Sequence, residues 1–180
     1  MNSSVVDLEL VIDDDRTSRV RAIYSRHASE LGRLAYLLSG DRQLSEDLVQ
    51  EAFVRLIGRL DLIRDDAAIP AYLRRSVVNL LKKHWRKVGH ERAYLRRQGP
   101  AQLAETALLP DLAARDELWG ALGRIPWRQR AAIVLRYYED LSEQQTARVL
   151  GCRVGTVKAA VSRGLRRMSK EMQGDDAIRA

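Results

Sequence analysis

Apolar residues recur at intervals of three and four from Val20 onward, with almost no alternation of β-branched side chains. A chain patterned this way buries its apolar surface by stacking α-helices, because a period of 3.6 collects such positions on one face. The expected fold is all-α. A first helix is predicted from Thr17 to Ser39, stopped by Gly40, the residue type favoured just past a helix C-terminus. A second runs from Asp41 to Leu60. Pro70, well suited to a first helical turn, opens a third that passes Trp85 toward Gly89 or beyond. Between Gln98 and Pro110 the pattern dissolves into Gly, Pro, Ala and Thr, which predicts a flexible linker.

Further helices are predicted over Leu112–Gly123 and Pro126–Tyr138, followed by a closely spaced pair, Ser142–Leu150 and Val154–Met172, joined at Leu150-Gly151-Cys152. Ser142 with Gln145 three residues on matches a capping box, in which each side chain satisfies a backbone donor at the other position. The organisation read from this is two small helical domains. An acidic mobile tail covers 1–16, a first domain 17–97, a linker 98–111, a second domain 112–172 and a short tail 173–180. Val5 to Ile12 alternates like a strand, but Asp7, Glu9 and the run Asp13-Asp14-Asp15 favour the tail.

Charge narrows the function. The 31 Lys and Arg against 24 Asp and Glu leave a net +7, which points to a polyanionic partner. No apolar run approaches bilayer length and the N-terminus is acidic, so a soluble cytoplasmic protein is expected. The lone Cys152 reads as a small buried hydrophobe, and the spacing of His27, His84 and His90 gathers no metal ligands. Neither a nucleophile motif nor a phosphate-binding glycine loop is present, so neither an enzyme nor a cofactor is expected.

The positive charge is concentrated. Pro70 to Pro100 holds nine Lys or Arg and one acid, Glu91, whereas Asp41 to Asp66 holds seven acids and four bases. At about 100° per residue, Leu73, Val77, Leu80, Leu81, His84 and Val88 fall on one side of the third helix. Arg75, Asn79, Lys82, Lys83 and Arg86 fall on the other, a basic face with one amide able to donate and accept toward a base edge. The last two helices have the short glycine-containing turn and basic second helix of a helix-turn-helix. There Val154, Val157, Val161, Leu165 and Met168 form the expected buried stripe, and Thr156, Arg163, Arg166, Arg167 and Lys170 face outward with Lys158 and Ser162 on the flanks. An ordinary helical hairpin has the same periodicity, so this pair alone leaves the choice open.

Three stretches taken together are more specific. LGRLAYLLSGDRQLSEDLVQEAFVRLI (Leu31 to Ile57), PAYLRRSVVNLLKKHWRK (Pro70 to Lys87) and IPWRQRAAIVLRYYEDLSEQQTARVLGCRVGTVKAAVSRGLRRM (Ile125 to Met168) resemble, in order and spacing, the extracytoplasmic-function sigma factors of the sigma-70 family. The nearest likeness is to the actinobacterial SigE-like subgroup. The resemblance implies that core RNA polymerase and promoter DNA are the partners, with an anti-sigma protein as an open third. It assigns Asp47, Gln50, Glu51 and Phe53 to the clamp helices of the large polymerase subunit. It assigns Arg75, Asn79, Lys82, Lys83 and Arg86 to the melted minus-10 element, with Asn79 at the position of the family's characteristic asparagine. Arg153, Thr156, Lys158, Ser162, Arg163 and Arg166 fall to the duplex minus-35 element. The sequence departs from the family pattern at Lys83, where an acid is usual, at Gln145-Thr146 in place of Glu-Ile, and at Ala159-Ala160 in place of Ser-Arg. Two rival readings stand beside it: a helix-turn-helix regulator that binds duplex DNA without polymerase, and an inert helical adaptor.

Overall fold

The computed structural model describes the backbone of residues 3–98 and 121–179, and side chains over 16–89 and 121–171. The linker expected beyond Gln98 and the helix expected from Leu112 to residue 120 lie outside the described residues. Among those described, all regular structure is helical: α1 (Ser3–Ser39), α2 (Arg42–Ile57), two 3-10 turns (Leu60–Leu62 and Asp66–Ala68) and α3 (Ile69–Gln98). After a helical turn at 121–123 come α4 (Trp127–Ile133), a π-helical turn (Val134–Tyr138), α5 (Glu143–Leu150) and α6 (Val154–Arg179).

α1 reaches back to Ser3, so the segment expected as a mobile tail is helical in its backbone, with neither the tail nor the strand observed. Farther along, the Arg16 guanidinium donates to the Ile57 carbonyl (3.1 Å), and that of Arg19 donates to the Ile63 carbonyl (3.2 Å) and to Asp66 (2.7 Å). These contacts tie the turn between α2 and α3 to α1.

The α1–α2 hairpin closes where the sequence predicts. Gly40 takes φ +74°, a left-handed conformation that costs glycine nothing, and donates to the Tyr36 carbonyl at 2.8 Å. Asp41 then caps α2 by accepting from the Leu44 amide at 3.0 Å. Behind it the buried hydroxyls of Ser39 and Ser45 satisfy each other at 2.9 Å. The core between α1, α2 and α3 is built on Leu34, Leu38, Leu56, Leu60, Ile69, Leu73, Val77, Val78 and Leu81, all at 2% exposure or less. Val78 and Ser76 are buried although the wheel left them out, while His84 and Val88 are only half-buried. α3 is flanked by α1, α2 and α5, so its covered arc is wider at mid-length than one stripe and narrower at its end.

The second group of helices does not stand apart from the first. Leu122, Ile125, Ile133, Val134 and Leu135 belong to the same apolar cluster as the α1–α3 core, and Leu37 packs against it from α1. The two helical domains expected from the sequence are both present. They share one core because their facing apolar stripes bury more surface together than alone.

Within the second domain the buried stripe of α6 is rotated from its expected position. Ala160 and Gly164 are buried with Val157, whereas Leu165 is 37% exposed. The cause is a close helix crossing: a Cβ at Gly164 would lie 2.7 Å from Ile133 Cδ1 and 3.2 Å from Gln129 Cβ, so glycine lets α6 approach α4 without displacing either side chain. Cys152 is half-buried at the turn, where the sequence suggested full burial. Thr146 is wholly buried with its hydroxyl unpartnered. Thr146→Val keeps the shape and removes the unmet polar group, so it should raise stability by about 1 kcal/mol in a thermal melt; a lower melting temperature would contradict that account.

Candidate nucleic-acid interface

Four basic-face residues of α3, Arg75, Asn79, Lys83 and Arg86, are exposed and lie in one row. Their spacing of four, four and three residues follows the helix repeat, giving a strip about 16 Å long at 1.5 Å per residue. None of the four is held by another group among the described residues, which leaves three charges and an amide free for a ligand. Lys82 lies off this row. It is half-buried and its Nζ donates to the Leu150 carbonyl at 3.2 Å, the C-terminal end of α5. Trp85 is also half-buried, edge-on to His84 with ring centroids 5.4 Å apart, and its indole nitrogen is buried without a partner.

α5 and α6 form the expected tight pair. Ser142 Oγ accepts from the Gln145 amide at 3.2 Å and Gln145 Oε1 accepts from the Ser142 amide at 2.7 Å, the complete capping box. Gly151 ends α5 at φ +64°, and Cys152 donates to the Ala147 carbonyl at 3.0 Å. The turn therefore places Arg153 immediately before α6, its carbonyl accepting from the Thr156 amide at 2.9 Å. Arg153, Thr156, Lys158, Ser162, Arg163 and Arg166 are all exposed. The first two stand where amide donors and the positive end of the helix dipole converge, a setting that favours phosphate. Arg166 Nε donates to the Ser162 carbonyl at 3.4 Å, and Lys158 stands 3.5 Å from Glu143 of α5. That pair is exposed, so it contributes little and yields readily to a phosphate.

α2 carries a third surface. Asp47, Gln50 and Glu51 are exposed on its outer face, Glu51 bridged to Arg55 at 2.9 Å. Phe53 lies elsewhere: it is 5% exposed, and its ring packs on Tyr24 with centroids 4.8 Å apart. The sequence reading missed the apolar members of this face. Val54 is 62% exposed, Ile57 36% and Tyr24 51%. Val54 follows Gln50 by four residues on the face opposite the core, a position where an apolar residue signals a contact and not packing.

At the seam between the two domains Arg130 is 5% exposed, its guanidinium donating to Ser39 O at 3.2 Å and Gly123 O at 3.4 Å. Burial pushes its pKa down to about 10, which still leaves it charged at neutral pH. Among the described residues, no three His, Cys, Asp or Glu side chains gather as metal ligands, and no helix is long and apolar enough to cross a membrane.

With this geometry in place, the chain compares with known proteins as follows. Residues 23–91 match the family Sigma-70 region 2, and residues 115–168 match Sigma-70, region 4. The RNA polymerase sigma-E factor of Streptomyces avermitilis is 34% identical over 144 residues, spanning 80% of this chain and 79% of that protein. The ECF RNA polymerase sigma factor SigM of Mycobacterium tuberculosis is 32% identical over 152 residues, 82% of this chain and 74% of that one. In fold, the sigma factor RpoE of Bartonella quintana, solved with the anti-sigma factor NepR, superposes with a TM-score of 0.62 at 24% identity, covering 88% of this chain and 97% of that one. The two matched regions hold the α3 row and the α5–α6 pair in the order the sequence predicted. The chain thus belongs to the extracytoplasmic-function sigma factors of the sigma-70 family, which direct RNA polymerase to particular promoters.

Proposed function

We propose that the three surfaces divide the work of initiation, with α2 docking on the polymerase clamp, α3 holding melted minus-10 DNA and the α5–α6 pair reading duplex minus-35 DNA. The observation that carries this is the α3 row. Three exposed cations flank an exposed amide, none of the four with a partner among the described residues, and the opposite face of the helix packs through Leu73, Val77 and Leu81. Extruding a base from the stack costs a few kcal/mol, and such a strip offsets that cost by combining backbone charge with an amide that reads a base edge.

On α2, Asp47, Gln50 and Glu51 surround Val54 and Ile57, an aliphatic centre with an acidic rim that suits an arginine-bearing partner surface. Phe53 acts here through Tyr24, which it supports from the core. The helix-turn-helix offers fewer base-edge donors than its family pattern, since the exposed Ala159 stands where Ser is usual, so DNA shape and phosphate contacts carry more of its specificity; Ala160 is buried and faces the helix packing. The protein works in the cytoplasm without chemistry of its own. An anti-sigma protein, the kind of partner with which the Bartonella quintana relative was solved, is the fitting restraint.

Run-off transcription with core polymerase on a genomic fragment library is the test. Discrete start sites that depend on the protein are expected. No such starts, together with sequence-specific duplex binding in the absence of polymerase, would favour a stand-alone regulator.

A further inference from the structure

From Ile69 to Gly89, α3 holds no Asp or Glu. Its exposed row is therefore one-sided in hydrogen bonding. Ammonium and guanidinium groups only donate, so Arg75, Lys83 and Arg86 offer donors and nothing else. Ser76, on the same turns, is buried, and the Tyr72 hydroxyl donates to the Arg55 carbonyl at 3.2 Å. The carbonyls of the helix are taken up by its own backbone bonds. Glu139, which reaches α3 from the second domain, is paired with Arg74 and its side chain is only 5% exposed. Asn79 Oδ1 is thus the row's one exposed side-chain acceptor among the described residues, with a cation one helical turn away on either side.

Bases differ in the complementary way. At one place on the edge, guanine and thymine carry an oxygen, which accepts, whereas adenine and cytosine carry an amino group, which donates. A side-chain amide accepts from an amino base, and meets adenine with two bonds. A cationic donor set against an amino group leaves both donors unpaired, which selects against that base. Arg75, Asn79 and Lys83 follow one another at about 6 Å, four residues at 1.5 Å each. A strand advances about 3.4 Å per stacked nucleotide and farther when unstacked, so the three side chains address neighbouring bases. We propose that α3 reads its strand as one amino-bearing base, taken by Asn79, between two keto-bearing bases, guanine or thymine, served by Arg75 on one side and Lys83 on the other. The proposal rests on the assignment of α3 to melted minus-10 DNA and names what that site selects. Arg75 and Lys83 are then specificity-determining residues as well as anchors for phosphate.

A promoter found from the start sites mapped with the holoenzyme is randomised over its minus-10 element, and each template carries a barcode in its transcribed part. Sequencing the run-off products then reports selection position by position. The native holoenzyme should favour A or C at one position and G or T on each side of it, by about tenfold each. Asn79→Ala should abolish selection at the central position, which locates it. Arg75→Glu and Lys83→Glu each place an acceptor at one step of the row. Each should turn the preference at one flanking position toward A or C by a similar factor, and the two positions should lie on opposite sides of the Asn79 base. Arg75→Lys and Lys83→Arg keep the donors and should keep G or T. Ratios within one pool cancel the general loss of affinity from reversing a charge, and because all three positions are exposed, melting temperatures should not move. If the two Glu variants depress every template alike, the cations hold phosphate only and the proposal fails while the Asn79 position survives. Amino bases at the flanking positions of the native selection would also overturn it. If Asn79→Ala alters no position either, the assignment of α3 itself falls.

Discussion

Asn79→Ala is expected to reduce promoter-specific initiation by roughly 30- to 150-fold, equivalent to about 2 to 3 kcal/mol, with holoenzyme assembly unchanged. The side chain is exposed in the middle of the α3 row, between Arg75 and Lys83, and the helix packs through Leu73, Val77 and Leu81 on its far side. Folding should therefore be indifferent to the change. What is lost is the one group in the row that can both donate and accept, and with it discrimination among extruded bases, since the cations hold any phosphate equally well. The measurement is run-off transcription beside a thermal melt and a polymerase binding curve. If initiation falls only in step with melting temperature, Asn79 is structural; if it does not fall, the α3 row does not read the minus-10 element.

Gly164→Val should be the most damaging single change in the second domain. The first atom of any side chain there already collides with Ile133 Cδ1 at 2.7 Å and crowds Gln129 Cβ at 3.2 Å. Ile133 can swing its terminal carbon aside, but Gln129 Cβ is fixed to the backbone of α4. An alanine is partly compensated by its better helix propensity. A valine adds two further carbons with no space for them, and overpacking of this kind costs about 1 to 3 kcal/mol. It also wedges α6 from α4 and tilts the exposed row that begins at Arg153. Hydrogen exchange should show α4–α6 deprotected while α1–α3 remain protected. Unchanged protection across α6 would mean that the crossing is not close.

Much of this was legible in the sequence because its signals are local. Gly40 and the Ser142–Gln145 box name ends of α1 and α5 through hydrogen bonds that reach only a few residues, and both occur as expected. What periodicity could not supply was the third dimension. Leu165 falls on the apolar stripe of an isolated helix, yet the crossing at Gly164 turns it outward. Lys82 reads as one more cation of the basic face, and only the approach of α5 distinguishes it from its exposed neighbours. Val54 and Ile57 look like core in a string of hydrophobic residues until the buried set Leu48, Ala52 and Leu56 shows which arc of α2 is already occupied. The shared core between domains left no mark in the sequence, since a stripe does not say which other stripe covers it.

The π-helical turn at Val134–Tyr138 has a consequence for how such factors diverge. Its amide from Glu139 reaches back to the Val134 carbonyl at 3.1 Å, one residue farther than an α-turn would. Deleting one residue here converts the wide turn to ordinary winding by removing the residue it accommodates, so the segment beyond stays close to its present angle. Glu139 keeps its place beside Arg74. A lineage can therefore gain or lose a residue at this turn without disturbing how its two halves meet.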